Sequence, residues 1–436
     1  MPGHKRNESF DFRFLPDAYD VDITEIEGFD NLHDAQGIIK GAEENAAKIY
    51  GSSETHFLVN GSTSGILSAI SAVSEPGKKI IVARNCHVSV YNAIKLNDLN
   101  PVFIYPEIIE TGIKNTAIQG SMRPETVEKA IMDNEDAVAV VITSPTYDGV
   151  LSDIAMITRV AHEYDIPVIV DEAHGALFFM EGRSAISCNA DIVINSVHKT
   201  LPAFTQTALI HVNGNIVDRD VIRKYLRIYQ TSSPSYILMG SIDYAMDIME
   251  NDGNNLYIEF CKRTLKLKEE FSKLRNLKYV SKDYLINNGA FDFDESKVLI
   301  GSDYISGKKL ADILYTEYKI VCEMAAGGYV LLMTTLFDTD EGVNRLLKAL
   351  EEIDLKLSLD RLNNKESEKA YDNQDFPDSK EERSSLIKNQ IGKTSSSMIF
   401  AYPPGIPIVA EGEIITEEKA SEITECIAKG LDIKGI

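Results

Sequence analysis

Between Gly37 and Val212 the chain alternates two textures. Short runs rich in β-branched residues, Phe57–Val59, Lys79–Ala83, Val102–Tyr105, Ala137–Thr143, Ile166–Asp171, Asp191–Asn195 and Ala208–Val212, are separated by longer stretches with apolar residues at helical spacing. Runs that are apolar at nearly every position predict strands covered on both faces, and their alternation with helices predicts mostly parallel pairing. The expected architecture is α/β: a mostly parallel central sheet with helices on both faces. In such sheets ligands gather where strands end and loops lead into helices. Polar residues concentrate at those places, in Asn60-Gly-Ser-Thr-Ser-Gly65, Asn85-Cys-His87, Ser144-Pro-Thr-Tyr147, Asp171-Glu-Ala-His174 and Ser196-Val-His-Lys199.

Downstream the texture changes. Residues 253–274 read as a long charged helix joining the large unit to a smaller α+β one. Lys297–Ile300 reads as a strand and Val343–Leu357 as a helix. Residues 358–393, poor in apolar side chains, read as a mobile or partly helical linker. Tyr402-Pro-Pro-Gly-Ile-Pro407 excludes helix, and a last amphipathic helix is expected from Thr416 to Lys429. The expected division is an N-terminal segment 1–35, a ligand-binding large domain 36–285, and a C-terminal domain 286–436 that carries the linker.

A chain of 436 residues can bury the cores of two domains. No apolar run reaches the roughly 18–20 residues of a membrane span, and the first ten residues lack the apolar stretch of a signal peptide, so a cytoplasmic protein is expected. With 67 acidic against 44 basic residues, the net charge of −23 argues against nucleic acid or an anionic membrane as partner. The five cysteines form no CxxC pair and read as buried free thiols, with no metal site expected.

Lys199 follows a strand by a few residues, where its amine could form an imine with an aldehyde cofactor. A lysine on its own is otherwise a solvated surface charge. Asp171 ends an apolar strand, and a buried carboxylate there needs a cation. In a site for pyridoxal 5'-phosphate (PLP) that cation is the protonated pyridine nitrogen; the alternative is a helix cap. Ser62, Thr63 and Ser64 lie in a Gly/Ser loop before a helix, suited to a phosphate or merely an ordinary capped turn. Beside Ser196 and His198 the loop becomes a phosphate cup. His87 could lie over a pyridine ring and carry a proton. His174 could reach the cofactor's phenolic oxygen, or be a satisfied core histidine. Gly301–Lys309 mimics a P-loop but has one residue too many between its glycines, and reads as a loop leading into a helix. No HExxH, GxSxG or GxGxxG pattern anchors a competing chemistry.

The ordered set Pro2-Gly-His-Lys5, Val59-Asn-Gly-Ser-Thr63, Arg84-Asn-Cys-His87, Ser144-Pro-Thr-Tyr-Asp-Gly149, Asp171-Glu-Ala-His-Gly175, Ser196-Val-His-Lys-Thr200, Thr231-Ser-Ser-Pro-Ser-Tyr236 and Tyr402-Pro-Pro-Gly-Ile-Pro407 resembles the Orn/Lys/Arg decarboxylases of PLP fold type I. It is most similar to their short bacterial branch, which lacks the N-terminal wing domain. The resemblance implies a PLP enzyme that decarboxylates arginine, lysine or ornithine in polyamine metabolism. In it Lys199 carries the cofactor, Asp171 pairs with the pyridine nitrogen and His87 stacks on the ring. Ser62, Thr63, Ser64, Ser196 and His198 line the phosphate. Thr231 and Ser232 reach the phosphate of a neighbouring subunit, which implies a homodimer or larger assembly with shared sites. Glu413 falls in the region of the substrate entrance. Val88 and Val197 depart from the family's usual Lys and Thr. An aminotransferase or aldolase would use the same lysine but lacks the Pro-Gly-His-Lys and Pro-Pro-Gly-Ile-Pro segments; a catalytically silent paralogue would bind PLP without turnover.

Overall fold

The computed structural model describes residues 2–7, 18–363, 387–402, 405–428 and 432–435. Each of the seven apolar runs becomes a strand of one sheet: β1 (Glu54–Leu58), β2 (Lys79–Ala83), β3 (Asn100–Ile104), β4 (Ala137–Thr143), β5 (Val168–Asp171), β6 (Ile192–Asn195) and β7 (Ala208–Val212). Their order across the sheet is β1, β7, β6, β5, β4, β2, β3. β7 runs antiparallel to both β1 and β6, and all other pairings are parallel. Six strands therefore point one way and end on one edge. Register sets Thr143 beside Asp171 and Asp171 beside Ile194, so the tips of β4, β5 and β6 adjoin.

Successive side chains of a strand face opposite ways, and here both faces are covered. Ile80, Val82, Val141, Ile169 and Ile194 pack under helices Gly61–Val73, Val88–Leu96 and Arg219–Tyr229. Ile81, Val140, Val168, Val170 and Val193 pack under helices Ile38–Tyr50, Pro124–Met132, Ile154–His162 and Tyr236–Asn251. Each such side chain contributes roughly 1.5–3 kcal/mol of burial, so a charge placed mid-strand would break the sheet. The architecture is the expected α/β one, with helices on both faces.

Helix Gly253–Phe271 leads to a second sheet, antiparallel throughout, with strands Leu277–Tyr279, Lys297–Ser302, Tyr329–Met333 and Met324–Ala326 in spatial order. Helices Gly307–Tyr318 and Asp340–Asn363 cover one face of it. The segment resembling a P-loop is the end of a strand and a short loop, closed by Ser306 as the cap of the helix that follows. A third sheet, Ile406–Val409, Ile399–Tyr402 and Asp432–Lys434, packs on helix Glu417–Ala428.

Two expectations need correction at their edges. The polar stretch 358–393 is not linker at its ends: the preceding helix continues to Asn363, and Ile387 is buried in the C-terminal core. Its central part, 364–386, lies outside the described residues, as do Pro403 and Pro404. Of the cysteines only Cys86 is buried; Cys261, on the outer face of the long helix, is exposed. Among the described residues no helix is long and apolar enough to cross a membrane, and no cluster of His, Cys, Asp and Glu could hold a metal.

Candidate active site

The carboxyl edge of the sheet collects the chemistry. β6 ends at Asn195, Ser196 leads into a single-turn helix Val197–Thr200 without capping it through its side chain, and that turn presents Lys199. Lys199 Nζ lies 3.1 Å from His174 Nε2. His174 comes from the turn after β5, whose last residue is Asp171. The turn is held by Asn195 Nδ2, which donates to the Glu172 carbonyl (2.9 Å) and carboxylate (3.0 Å). Ser184 Oγ and the Ala185 amide also donate to Glu172, so this buried acid is a scaffold, its pKa raised to about 7 by burial.

Asp171 is 5% exposed; its Oδ1 accepts from the Ala173 amide at 3.1 Å, and among the described residues no lysine or arginine forms a direct ion pair with it. A buried carboxylate without a bonded cation is costly, and a cationic ring nitrogen supplies what is missing. His87 caps helix Val88–Leu96, its Nδ1 near the Ser89 amide and hydroxyl. Burial lowers its pKa; Asp171 raises it and Lys199 lowers it further, so these three groups share one electrostatic neighbourhood. Burial also lowers the Lys199 amine, against Asp171 and Glu323. His174 sits well below the ordinary histidine value through burial, with Lys199 and Lys297 adding to the effect.

The residues of the Gly/Ser loop differ from expectation in one respect: Gly61 already begins the helix, so Ser62, Thr63 and Ser64 form its first turn. The opening amides of a helix have no acceptors within it, and Asn60 provides no side-chain cap. Ser64 Oγ is committed to the Gly61 carbonyl (2.8 Å), which leaves its amide rather than its hydroxyl for a ligand. Gln206 Nε2 donates to the Val59 carbonyl and His198 Nδ1 donates to the Thr207 carbonyl (2.7 Å), which brings the helix start and the Lys199 turn against one segment. Ser196 Oγ and Thr200 Oγ1 are buried and have no hydrogen-bond partner among the described residues. Ser68, Thr143, Thr158 and Thr264 share this state elsewhere in the chain, but these two flank Lys199, where a phosphorylated ligand would offer them acceptors. The residues present fit PLP.

The Pro2–Lys5 motif straps this turn in place. The Gly3 amide donates to the His198 carbonyl (2.8 Å), and Thr335 Oγ1 donates to the Gly3 carbonyl (2.7 Å). A Cβ on Gly3 would lie 2.4 Å from the Leu201 carbonyl oxygen, so only glycine fits. On the other flank Arg84 donates to the Pro407 and Ile408 carbonyls and pairs with Glu413 at 3.2 Å. Glu413 also pairs with Lys419, so it serves to dock the C-terminal sheet.

Thr231 and Ser232 are not brought to this cluster. They are exposed, His33 Nε2 donates to the Thr231 carbonyl, and among the described residues neither bonds to a member of the Lys199 group. Three further residues join it: Tyr147, from the polar turn Ser144–Tyr147, and Lys297 and Glu323, which are not among the site residues expected from the sequence. Lys297 Nζ is 2.8 Å from His174 Nδ1, the Tyr147 ring meets His174 edge-on at 5.0 Å, and Tyr147 donates to Glu323 at 2.8 Å. The signal for Lys297 was available: it heads the buried run Lys297–Ile300, a cation at a strand tip that needs partners for the same reason Asp171 does.

Comparison with known proteins bears on the family of the chain. Residues 1–297 match the family model described as Orn/Lys/Arg decarboxylase, major domain. The arginine decarboxylase of Bacillus subtilis (strain 168) is 32% identical, the alignment covering 100% of this chain and 91% of that protein. The lysine decarboxylase LdcF of Francisella novicida superposes with a TM-score of 0.78 at 21% identity, over 99% of this chain and 75% of that one. The serine palmitoyltransferase of Sphingomonas wittichii shares the fold at a TM-score of 0.58 and 16% identity, over 79% and 85% of the two chains. On the strength of the family match and the full-length relative, the chain belongs to the Orn/Lys/Arg decarboxylase family and has its fold type I architecture.

Proposed function

We propose that this amino acid decarboxylase uses PLP, held at Lys199, to remove the α-carboxylate of a basic amino acid, with arginine the first candidate. The observation that carries the reading is Lys199, bonded to His174 beside a buried acid that lacks a cation. Arginine leads because the relative aligned over the full chain at 32% identity bears that name, whereas the lysine decarboxylase structure stands at 21%.

When bound, PLP supplies an aldehyde that joins the substrate amine and a cationic ring that takes up the electron pair left by departing carbon dioxide. The chain's own residues do the rest. Asp171 is positioned to hold the ring nitrogen protonated, and His87 to cover one face. Ser196, Thr200, His198 and the amides of Ser62, Thr63 and Ser64 are positioned to fix the phosphate. Lys199 Nζ, held by His174, is the group placed to hold and return the proton at the reacting carbon. Burial of the site strips water from the substrate carboxylate, which favours its loss as neutral gas.

In the same reading, Thr231 and Ser232 complete the phosphate site of a second copy, so the working unit is at least a homodimer in the cytoplasm. The division at 35 and 285 into segment, large domain and C-terminal domain belongs to it as well. Incubation with arginine, lysine and ornithine separately, in the presence of PLP, tests it. Agmatine, formed faster than cadaverine or putrescine, is the expected product. Keto acid in place of amine, or no product from any of the three, would overturn it.

A further inference from the structure

One buried lysine has no part in the chemistry above. Lys297 is 0% exposed, and its stem crosses Gly149, where a Cβ would come within 2.7 Å of Lys297 Cγ. Its Nζ reaches His174 Nδ1 at 2.8 Å, while the opposite nitrogen of the same ring reaches Lys199 at 3.1 Å. Asp294, Glu323, Asp148 and Lys199 are the charged groups facing Lys297. Those facing Lys199 are Asp171 and Glu323, with His174, His87, His198 and Lys297 around it.

An ammonium group only donates, and a neutral imidazole has one donor nitrogen and one acceptor. Both lysines therefore cannot donate to His174 at once. If Lys297 is the cation, Nδ1 accepts, Nε2 carries the hydrogen, and Lys199 must receive that hydrogen through a free lone pair. We propose that Lys297 is a positioning residue that fixes the proton of His174 on Nε2 and thereby keeps Lys199 an uncharged amine, ready to capture the cofactor's aldehyde. This rests on Lys199 being the capturing amine. Burial draws Lys297 down only to about 8, so it stays cationic at neutral pH among its carboxylates.

Two measurements on the apoprotein test the assignment. Nitrogen NMR of histidine-labelled protein, with His174 assigned through His174→Gln, reads the tautomer directly; hydrogen on Nε2 is expected in the unaltered chain and a shift toward Nδ1 in Lys297→Met. The pH profile of PLP capture, followed by absorbance, should move up by about one unit in Lys297→Met, a roughly tenfold slower capture at neutral pH. Lys297→Arg, which keeps a buried donor, should restore the profile. Hydrogen on Nδ1 in the unaltered chain overturns the inference without any variant, and so does a Lys297→Met protein with unchanged tautomer and profile. Failure of the unaltered chain to capture PLP at Lys199 overturns the proposed function itself, and is distinguishable because the tautomer is read without cofactor.

Discussion

His174, at the carboxyl edge of the central sheet, and His56, near the amino end of β1, are both buried, yet at neutral pH one is uncharged and the other a cation. Burial alone lowers both. At His56 it is outweighed by Glu43 and Glu54, whose carboxylates lie 3.5 and 2.8 Å from the ring and raise it to about 9. Glu54 is held at about 2, first by His56 and also by Arg223. At His174 the neighbours are two lysines, which reinforce burial and leave the ring neutral. Around His56 the charges are paired within the chain. Around Lys199 the described residues leave an acid without a bonded cation and two hydroxyls without partners. Charges matched by ion pairs within the chain hold the fold, whereas a buried acid left without a bonded cation is open to a cationic ligand.

The sharpest separation comes from Lys199→Ala. Amine formation should fall by at least roughly 10⁴-fold, since a group that both carries the cofactor and moves the proton acts as a unit with the rest of the site. The midpoint of thermal unfolding without cofactor should hold or rise, because a desolvated amine is removed. Loss of stability parallel to loss of activity would erase the distinction between the two regions.

Asp171→Asn comes next. The amide keeps the shape and the acceptor for Ala173, but not the charge. A fall in kcat of about 10²–10³ is expected with bound cofactor retained, as for the loss of one preorganised electrostatic group. A fall of less than tenfold would mean that Asp171 is only a cap for its turn.

What could be read beforehand follows the same divide. Strands β2, β4 and β7 match their apolar runs residue for residue, because side chains buried on both faces leave no exposed position inside the run. The antiparallel direction of β7 could not be read that way: it depends on the link after Asn195 holding only a one-turn helix, too little for a parallel crossover. Asp171, His174 and Lys199 were legible as polar residues at strand tips. For Lys297 the cation at the head of a buried run was legible but its partner was not, because it reaches His174 across 123 positions from a different sheet and local periodicity carries no trace of such a contact. Of the partners of His56, Glu54 lies two positions back on the same face of β1, within reach of the strand's alternation, whereas Glu43 comes from helix Ile38–Tyr50 and no strand periodicity points to it.

His56→Leu probes the closed network. It strands Glu43 beside an apolar ring-sized group, and about 3 kcal/mol of stability should be lost at pH 6. Because the folded value near 9 lies above the ordinary 6.5, the stabilisation is complete below pH 6.5 and disappears as pH rises through 9. Denaturant titrations of the two proteins should therefore converge between pH 6.5 and 9, with kcat changed less than about twofold. A stability gap constant across that range would show that His56 packs without bearing charge.

The smallest effect concerns Thr231, which is exposed and outside the Lys199 cluster of its own chain. If it completes the site of a second copy, Thr231→Ala removes about one charge-assisted hydrogen bond, and PLP should bind roughly tenfold more weakly. Mixing decides between this and a local effect. In an assembly of one Thr231→Ala chain and one Lys199→Ala chain, the site with an intact Lys199 borrows its threonine from the Lys199→Ala partner, so its cofactor affinity should return to that of the unaltered enzyme. The other site stays silent. Were Thr231 to act within its own chain, the intact lysine would still sit beside an alanine, and affinity in the mixture would remain low; this outcome would confine the open network to a single subunit.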